Sequence, residues 1–259
     1  MRCEGRRSWR RSAAVLLAAG VAGLAGCGGE AGGSTDDQVT VYAAASLTDA
    51  FTDIADAFTR TRPGTAVTFN FAGSQVLAGQ IVEGAPADVF AAADADQMAV
   101  VVDAGAAAGV PQTFAGNVLA IAVEPGNPRG IDGLPDLADP RLVVIMPAEE
   151  VPAGRYARAA LRAAGVAVTA DSLERDVRSA LAKVAIGEAD AAIVYASDVL
   201  AAKHRVDGVA IPAAHNVTAA YPIVAVADAA SPSAAAAFVA FVRSPAGRQI
   251  LTEHGFSAP

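Results

Sequence analysis

The chain has 259 residues and a formal net charge of −8, and its length fits one large domain or two modest ones. Hydrophobic residues make up 53% of the chain and charged residues 18%, so a sizeable core is feasible and disorder is not expected. Aromatic residues make up only 5%, which predicts a core built from Ala, Val, Leu and Ile. No basic run follows the first 11 residues, which argues against a nucleic-acid partner, and two cysteines form neither a disulfide scaffold nor a four-cysteine zinc site.

The N-terminal segment is predicted to be a targeting signal that is not part of the fold. Five arginines lie within the first 11 residues, and an apolar run of small residues and leucines follows from Ala13 to Ala25. This run is shorter than the roughly 20 residues that span a bilayer, and its flanks fit a secretory signal. It closes with Leu24-Ala25-Gly26-Cys27, which resembles a bacterial lipobox. Residues 1–26 are therefore predicted to be a signal peptide, and Cys27 is predicted to carry a lipid.

Two alternatives for this segment stay open. It is also compatible with an ordinary signal peptide in which Cys27 is incidental, and its Arg-Arg pairs are compatible with twin-arginine export, although no full motif accompanies them. Without residues 1–26 the chain keeps 14 basic and 26 acidic residues, a net charge of −12, and no thiol besides Cys27. This composition fits an oxidising exterior and excludes thiolate catalysis. Residues 27–37 are predicted to be a lipidated, flexible tether.

From residue 38 onward, strands and helices alternate. The patterns of apolar residues predict strands at 38–43, 66–71, 87–92, 117–123, 142–145, 191–194, 209–211 and 221–226. They predict helices at 47–59, 75–83, 94–104, 153–164, from Val177 to Gly187, 233–243 and 245–254. Residues 124–140, rich in Pro, Gly and Asp, are predicted to be a loop. The alternation predicts an α/β architecture with largely parallel sheets, and the absence of a fixed period excludes a solenoid.

The sequence lacks the common signatures of enzymes and metal sites. The three histidines have no ligand spacing and no matching cluster of Cys or carboxylates, so no metal-cation site is predicted. There is no G-x-S-x-G elbow, no G-x-x-x-x-G-K-[ST] loop, and no G-x-G-x-x-G after a strand. The remaining enzymatic alternative is a secreted hydrolase that uses Ser46 or Ser74, for which no histidine lies where a base is predictable.

Small residues precede a serine at two strand-to-helix junctions, Ala43–Asp49 (AAASLTD) and Phe71–Gln75 (FAGSQ). Each junction places a serine, Ser46 or Ser74, at a helix N-terminus, where free N–H groups and the helix dipole favour an anion. In open α/β sheets this edge is also where ligands bind. The alternative is plain N-capping, at which serine excels, and Ser46 followed by Asp49 resembles a capping box.

Two further segments place small or polar groups at helix starts. Val151–Tyr156 (VPAGRY) opens a helix in which Gly154 permits close approach to the backbone. Ala192–Asp198 (AIVYASD) ends a strand with Tyr195 at the carboxyl edge, a position that an interfacial core residue would also fit. Val177, taken alone, fits the core.

Together with Gly84–Phe90 (GAPADVF), Asp176–Leu181 (DVRSAL) and Tyr221-Pro222, these motifs make the chain from Val39 to Phe256 resemble the periplasmic molybdate-binding proteins of ABC transporters. The resemblance implies the two-lobed type II periplasmic binding fold, in which each lobe is a mixed, mostly parallel sheet flanked by helices and the ligand cleft lies between the lobes. It implies a lobe one of residues 38–116 plus 221–259 and a lobe two of residues 117–220.

The resemblance also implies a set of oxyanion-binding residues. In that family a serine from each of the first two loops, two backbone amides and a tyrosine hydroxyl hold the anion. Carried over one at a time, these positions are Ser46, Ser74, Ala153, Val177 and Tyr195. The second loop reads Ala-Gly-Ser-Gln where relatives often have a longer serine run, and Ser74 is the aligned position.

Neutral donors are also what physical reasoning expects here. A protein of charge −12 repels a dianion through its overall field, so it needs a desolvated pocket of hydroxyls and amides, which avoids burying counter-charges. None of the five positions is Lys or Arg, and the adjacent Arg155 and Arg178 are predicted to be surface or lobe-closure residues.

The function implied by the resemblance is that of a receptor, without catalysis and without a cofactor. It would bind molybdate, and with it tungstate, and deliver the anion to a membrane permease driven by a separate ATPase. It would be a monomer, lipid-anchored to the cell membrane on the extracytoplasmic side, with no nucleic-acid partner. A receptor on the same fold for another anion, such as sulfate or an organic anion, is the alternative.

Overall fold

The computed structural model describes residues 38–259, so the predicted signal peptide, Cys27 and the tether lie outside the described residues. The strands in this range are β1 Gln38–Ala44, β2 Ala66–Ala72, β3 Val89–Ala91, β4 Gln112–Val123, β5 Val144–Pro147, β6 Ser172–Glu174, β7 Ala191–Tyr195, β8 Asp207–Ala210 and β9 Thr218–Ala225. The α-helices are α1 Thr48–Thr61, α2 Ser74–Val82, α3 Ala95–Asp103, α4 Pro152–Ala164, α5 Val177–Ala185, α6 Ala196–Ala201, α7 Pro232–Val242 and α8 Pro245–Glu253. Short 3₁₀ turns occupy Ala45–Leu47 and Leu134–Ala138.

The strands form one sheet in the order β2-β1-β3-β9-β4-β7-β5-β6, with β8 paired to β4. At one end β1 pairs in parallel with β2 and β3, and at the other end β5 pairs in parallel with β6 and β7. In the middle, the pairs β3–β9, β9–β4, β4–β7 and β4–β8 are antiparallel. The sheet is therefore mixed, as the predicted fold requires.

Strand β4 changes partners along its length. From Gln112 to Val118 it pairs with β9, from Leu119 to Val123 it pairs with β7, and from Ala120 to Val123 it also pairs with β8 on its other side. The chain thus passes from one half of the sheet to the other through β4 and returns through β9. The predicted lobe boundaries, 116/117 and 220/221, fall inside these two strands and stay a prediction.

Helix α1 shows how local sequence builds the core. Phe51, Ile54 and Phe58 recur at helical spacing on its buried face, and Gly64, whose φ of 98° suits glycine, follows its end. The phenyl rings of Phe51 and Phe58 lie 6.0 and 5.3 Å from that of Phe238 on α7. The predicted core of Ala, Val, Leu and Ile is therefore incomplete, because the few aromatic residues concentrate here, where each ring pair contributes about 0.5–1.5 kcal/mol.

Several predicted elements differ from the structure. Strand β4 begins at Gln112, five residues before its prediction, and β5 lies two residues later than predicted. Strand β6 and helix α6 were not predicted. None of the helices among residues 38–259 is long and apolar enough to cross a membrane.

Candidate ligand-binding site

The five residues implied by the family resemblance lie around one small cavity of about 10 Å³. Each is buried, with at most 4% of its surface exposed. They come from five separate loops at the carboxyl ends of strands or the starts of helices, and they are Ser46, Ser74, Ala153, Val177 and Tyr195. The remaining lining consists of small residues, among them Ala93 from the loop after β3, together with Val151, Pro152 and Asp176. The cleft is closed over this cavity.

Helix N-termini converge on the cavity from both halves of the sheet. Ser74 and Val177 are the first residues of α2 and α5, Ala153 is the second residue of α4, and α6 begins directly after Tyr195. Ser46 lies in the 3₁₀ turn that precedes α1. The N–H groups of a first helical turn have no acceptor inside the helix, and the dipole adds partial positive charge. This geometry suits an anion.

Neither serine caps a helix. The N-cap residues of α1 and α2 are Leu47 and Gly73, and no side chain caps either helix. The Oγ of Ser46 instead lies 2.9 Å from the Oη of Tyr221, and the Oγ of Ser74 accepts a hydrogen bond of 3.0 Å from the backbone N–H of Ala93. The capping alternative is therefore wrong for both serines.

The proposed capping box at Ser46 does not form either. The carboxylate of Asp49 forms an ion pair with Arg178, on the other side of the cleft. Asp49 therefore takes part in a contact between the two halves of the molecule.

The hydroxyl of Tyr195 has no hydrogen-bond partner within the described part of the chain, although its side chain is buried. Burial raises the pKa of Tyr195 well above its ordinary value, and the neighbouring Tyr221 and Tyr156 raise it further. The hydroxyl consequently keeps its proton at neutral pH. A buried donor without a partner costs about 1–3 kcal/mol, and an acceptor placed in the cavity would remove that cost.

The lining of the cavity contains hydrogen-bond donors but no Lys, Arg or His. Its one carboxylate, that of Asp176, accepts bonds of 2.8 and 2.9 Å from the backbone N–H and the hydroxyl of Ser179, so its lone pairs are engaged at the N-terminus of α5. Among residues 38–259 no group of three or more His, Cys, Asp or Glu side chains is arranged to hold a metal ion.

Two arginines next to the cavity cross the cleft. Arg155 on α4 pairs with Asp94, which precedes α3, and its terminal nitrogen lies 3.2 Å from Asp96. Arg178 on α5 pairs with Asp49 on α1. Neither arginine lines the cavity. These contacts fit the prediction that both residues lie where the lobes close.

The charge of Arg178 is balanced by two carboxylates. Its Nε lies 2.9 Å from Oδ1 of the fully buried Asp198, in addition to the pair with Asp49. Burial raises the pKa of Asp198 to about 6, although Arg178 and the amide of Tyr195 oppose the rise. Burial also works to lower the pKa of Arg178, but the two carboxylates outweigh it and the pKa is raised. Arg178 therefore stays charged and adds little net positive potential to the cavity.

Sequence reasoning missed two groups behind the serines. Tyr221, which does not line the cavity, lies against the oxygen of Ser46, and the backbone N–H of Ala93, a lining residue, donates to the oxygen of Ser74. The Tyr221-Pro222 pair is part of the resemblance, but nothing in its spacing indicates that a residue 175 positions from Ser46 lies against it.

The family model for bacterial extracellular solute-binding proteins matches residues 39–257. The chain belongs to this family. Among the relatives of this solute-binding protein is the molybdate-binding protein ModA of Mycobacterium tuberculosis H37Rv, which is 40% identical over 255 residues, covering 96% of this chain and 98% of the relative.

Solved structures of other binding proteins share the fold. The periplasmic molybdate-binding protein of Azotobacter vinelandii aligns with a TM-score of 0.74 at 23% identity, covering 85% of this chain and 99% of that chain. The sulfate-binding protein SubI of M. tuberculosis aligns with a TM-score of 0.79 at 20% identity, covering 85% and 86%. The predicted two-lobed type II periplasmic binding fold is confirmed.

Proposed function

We propose that this solute-binding protein is an extracytoplasmic receptor that binds molybdate, and with it tungstate, and delivers the anion to the permease of an ABC transporter. The observation that supports this most strongly is the donor set. Three hydroxyls and two first-turn amides surround a buried cavity that has no basic side chain. A tetrahedral dianion with four acceptor oxygens is the ligand that such a cavity matches, because it brings acceptors and no donors.

The contacts behind Ser74 support the choice of a fully deprotonated anion. Its Oγ accepts the N–H of Ala93, so its own hydrogen is free to be donated into the cavity. Phosphate keeps a proton near neutral pH, and that O–H would face donors. Sulfate brings no proton but is smaller, so it reaches fewer of the donors at once. We therefore expect molybdate and tungstate to be preferred over both.

Calorimetric titration and thermal melting with molybdate, tungstate, sulfate and phosphate test the proposal. A ligand at about a thousand times its Kd adds about 4 kcal/mol to the free energy of unfolding, which raises the melting temperature measurably. We expect a clear rise with molybdate and tungstate and little with the other two. Equal rises with all four contradict the proposal, and a rise with sulfate alone assigns the sulfate alternative. Tryptophan fluorescence is not a suitable assay for the protein without residues 1–26, because the only tryptophan, Trp9, lies in this predicted signal peptide.

Ser74→Ala tests the site itself. A hydrogen bond to a charged group contributes about 1.5–3 kcal/mol, which corresponds to a roughly 10- to 150-fold loss of molybdate affinity. Since Ser74 caps no helix, we expect the melting temperature of the ligand-free variant to change little. Wild-type affinity in this variant would remove Ser74 from the site.

The proposal contains no catalytic step. The hydrolase alternative requires a base beside Ser46 or Ser74, but the groups that contact them are the hydroxyl of Tyr221 and the amide of Ala93. A serine-reactive probe that forms an acyl-enzyme with the wild type would support the hydrolase and contradict the receptor.

We also propose that the receptor is a monomer held at the extracytoplasmic face of the cell membrane by a lipid on Cys27, with the permease and its ATPase as partners. The lipobox-like Leu24–Cys27 supports this anchor. Cys27→Ser is expected to move the protein from the membrane fraction to the soluble fraction without changing its melting temperature. Membrane fractionation identical to that of the wild type would rule out the anchor.

A further inference from the structure

Tyr221 is the residue that lies behind Ser46, and packing holds it in place. It comes from β9, one of the two strands that cross between the halves of the molecule, and its side chain is fully buried. Its ring packs edge-on against the rings of Tyr195, Phe114 and Phe256 at centroid distances of 5.8, 6.3 and 5.4 Å. It does not line the cavity, but its hydroxyl lies 2.9 Å from the hydroxyl of Ser46, which does.

The bond between Ser46 and Tyr221 has two possible directions with opposite consequences. A hydroxyl has one hydrogen and two lone pairs. If Ser46 donates to Tyr221, it offers the cavity only lone pairs, which repel an anion. If Tyr221 donates to Ser46, the hydrogen of Ser46 is free for an anion.

The two serines of the cavity differ in how this direction is set. Ser74 accepts from the N–H of Ala93, which is a donor only, so its hydrogen is always available to the cavity. Ser46 accepts from a hydroxyl, which can also accept. A phenol is a stronger acid than an alkyl hydroxyl and hence the better donor, and burial keeps Tyr221 protonated by raising its pKa.

We propose that Tyr221 is a positioning residue for anion specificity: it donates to Ser46 and thereby commits the Ser46 hydrogen to the bound anion. This inference rests on the proposed function, because it assigns Ser46 to the oxyanion. With Tyr221 in place, all three hydroxyls around the cavity act as donors, and a protonated anion finds no acceptor among them. Without the phenol hydroxyl, Ser46 is free to rotate and to accept a hydrogen bond from a protonated anion.

A double-mutant cycle with Tyr221→Phe and Ser46→Ala tests the inference, with molybdate affinity as the first readout. Phenylalanine keeps the buried ring and removes only the hydroxyl. A neutral hydrogen bond of this kind changes affinity by about 3- to 10-fold, so we expect Tyr221→Phe to weaken molybdate binding by that factor. In the Ser46→Ala background we expect the same change to have less than a twofold effect, because the hydrogen that Tyr221 positions is gone.

Sulfate and phosphate supply the second readout. The two anions are close in size and differ by the proton that phosphate keeps at pH 7, so the ratio of their affinities, measured by competition with molybdate, reports on the direction of the Ser46 hydroxyl. We expect Tyr221→Phe to shift this ratio at least threefold toward phosphate. Tyr42→Phe is the matched control, since Tyr42 is also buried but lies outside the cavity and packs in a separate cluster with Leu77 and Phe90. It should change neither readout.

The outcomes separate the inference from the proposed function. The wild-type titration tests the function, and the variants test Tyr221 with whichever of molybdate and sulfate binds the wild type. A wild type that binds neither anion overturns both. Equal losses from Tyr221→Phe in the wild-type and Ser46→Ala backgrounds show that Tyr221 acts through packing, and an unchanged sulfate-to-phosphate ratio shows that it does not orient Ser46; either result overturns the inference.

Discussion

Gly73, the N-cap residue of α2, faces the backbone of the opposite half of the molecule across the cleft. A Cβ atom at this position would lie 2.6 Å from the carbonyl oxygen of Arg175. The backbone of Gly73 has φ −60° and ψ 136°, which any residue adopts. Gly73→Ala therefore strains no backbone dihedral angle. The added Cβ would also lie 2.5 and 2.6 Å from Nε2 and Oε1 of Gln75, but that is the end of a flexible side chain that can turn away. The carbonyl of Arg175 is backbone from the other half of the molecule, so we expect most of the cost to arise when the cleft closes.

The size of the effect follows from that distance. Carbon and oxygen atoms in ordinary contact are about 3.4 Å or more apart, so the carbonyl of Arg175 must move away by about 0.8 Å. The side-chain amide of Gln75, which donates a bond of 2.8 Å to the same carbonyl, also clashes with the added Cβ, so we expect this bond across the cleft to break. An anion held by donors from both lobes would lose at least one charge-assisted bond of about 1.5–3 kcal/mol, a roughly 10- to 150-fold loss of affinity.

Titration calorimetry measures the affinity of the variant for molybdate, and thermal melting measures the stability of the ligand-free protein. We expect Gly73→Ala to lower affinity by that factor and to leave the ligand-free melting temperature nearly unchanged. Gly79→Ala is the matched control, because it lies on the same helix with open space around its Cα. It should raise stability by about 0.5–1 kcal/mol through helix propensity and leave affinity unchanged.

Wild-type affinity in Gly73→Ala would refute the reasoning, because it would mean that the ligand-bound lobes do not approach as closely as Gly73 and Arg175 do here. A large fall in the ligand-free melting temperature would refute it as well, since the cost would then fall on the fold and not on closure.

Three further predictions concern groups around the cavity. Tyr195→Phe removes a buried hydroxyl that has no hydrogen-bond partner. The ligand-free variant should be as stable as the wild type or up to about 1–2 kcal/mol more stable, and it should bind molybdate at least tenfold more weakly. A less stable variant would contradict this prediction. Arg155→Gln leaves the buried Asp94 without its ion pair and should lower the unfolding free energy, measured in urea, by about 1–3 kcal/mol. Arg141→Gln breaks a solvent-exposed pair and should leave the urea unfolding curve nearly unchanged. Burial raises the pKa of Asp198 in the folded state to about 6. The protonated carboxyl therefore stabilises the fold fully below about pH 4, and this stabilisation is lost as the pH rises through 6. The unfolding free energy of the wild type relative to Asp198→Asn should fall by about 3 kcal/mol from pH 4 to pH 7, and a difference independent of pH would disprove this prediction.

Sequence patterns predicted the elements whose own residues form a repeating apolar face. Helix α1 and helix α4 begin and end within two residues of their predicted bounds, because each has a strong apolar stripe and a clear breaker at its end. Helix α6 was missed because its six residues follow β7 without a break and are too few to show a period. Strand β6 was missed because it is a three-residue edge strand whose Leu173 is exposed.

The candidate site divides in the same way. Local motifs placed Ser46 and Ser74 at helix starts, and the family resemblance added the amides of Ala153 and Val177. Whether a serine caps its helix or faces a cavity depends on groups far away in the chain, such as Tyr221 and the N–H of Ala93. Those contacts depend on the strand order β2-β1-β3-β9 in the sheet, which no local pattern encodes.

The pairing of β4 with β9 limits how the two lobes can move. The two strands that join the halves of the sheet are antiparallel neighbours, and they pair from Gln112 opposite Ile223 to Val118 opposite Thr218 with one register shift between Thr113 and Ala115. Sliding β4 past β9 would break the backbone hydrogen bonds between them. Bending both strands together, out of the plane of the sheet, would keep these bonds. We therefore expect the cleft to open by a hinge rotation about these two strands. We expect the hydrogen-bond donors of the two halves to return to the same spacing each time the cleft closes, because the paired strands fix how the halves approach each other.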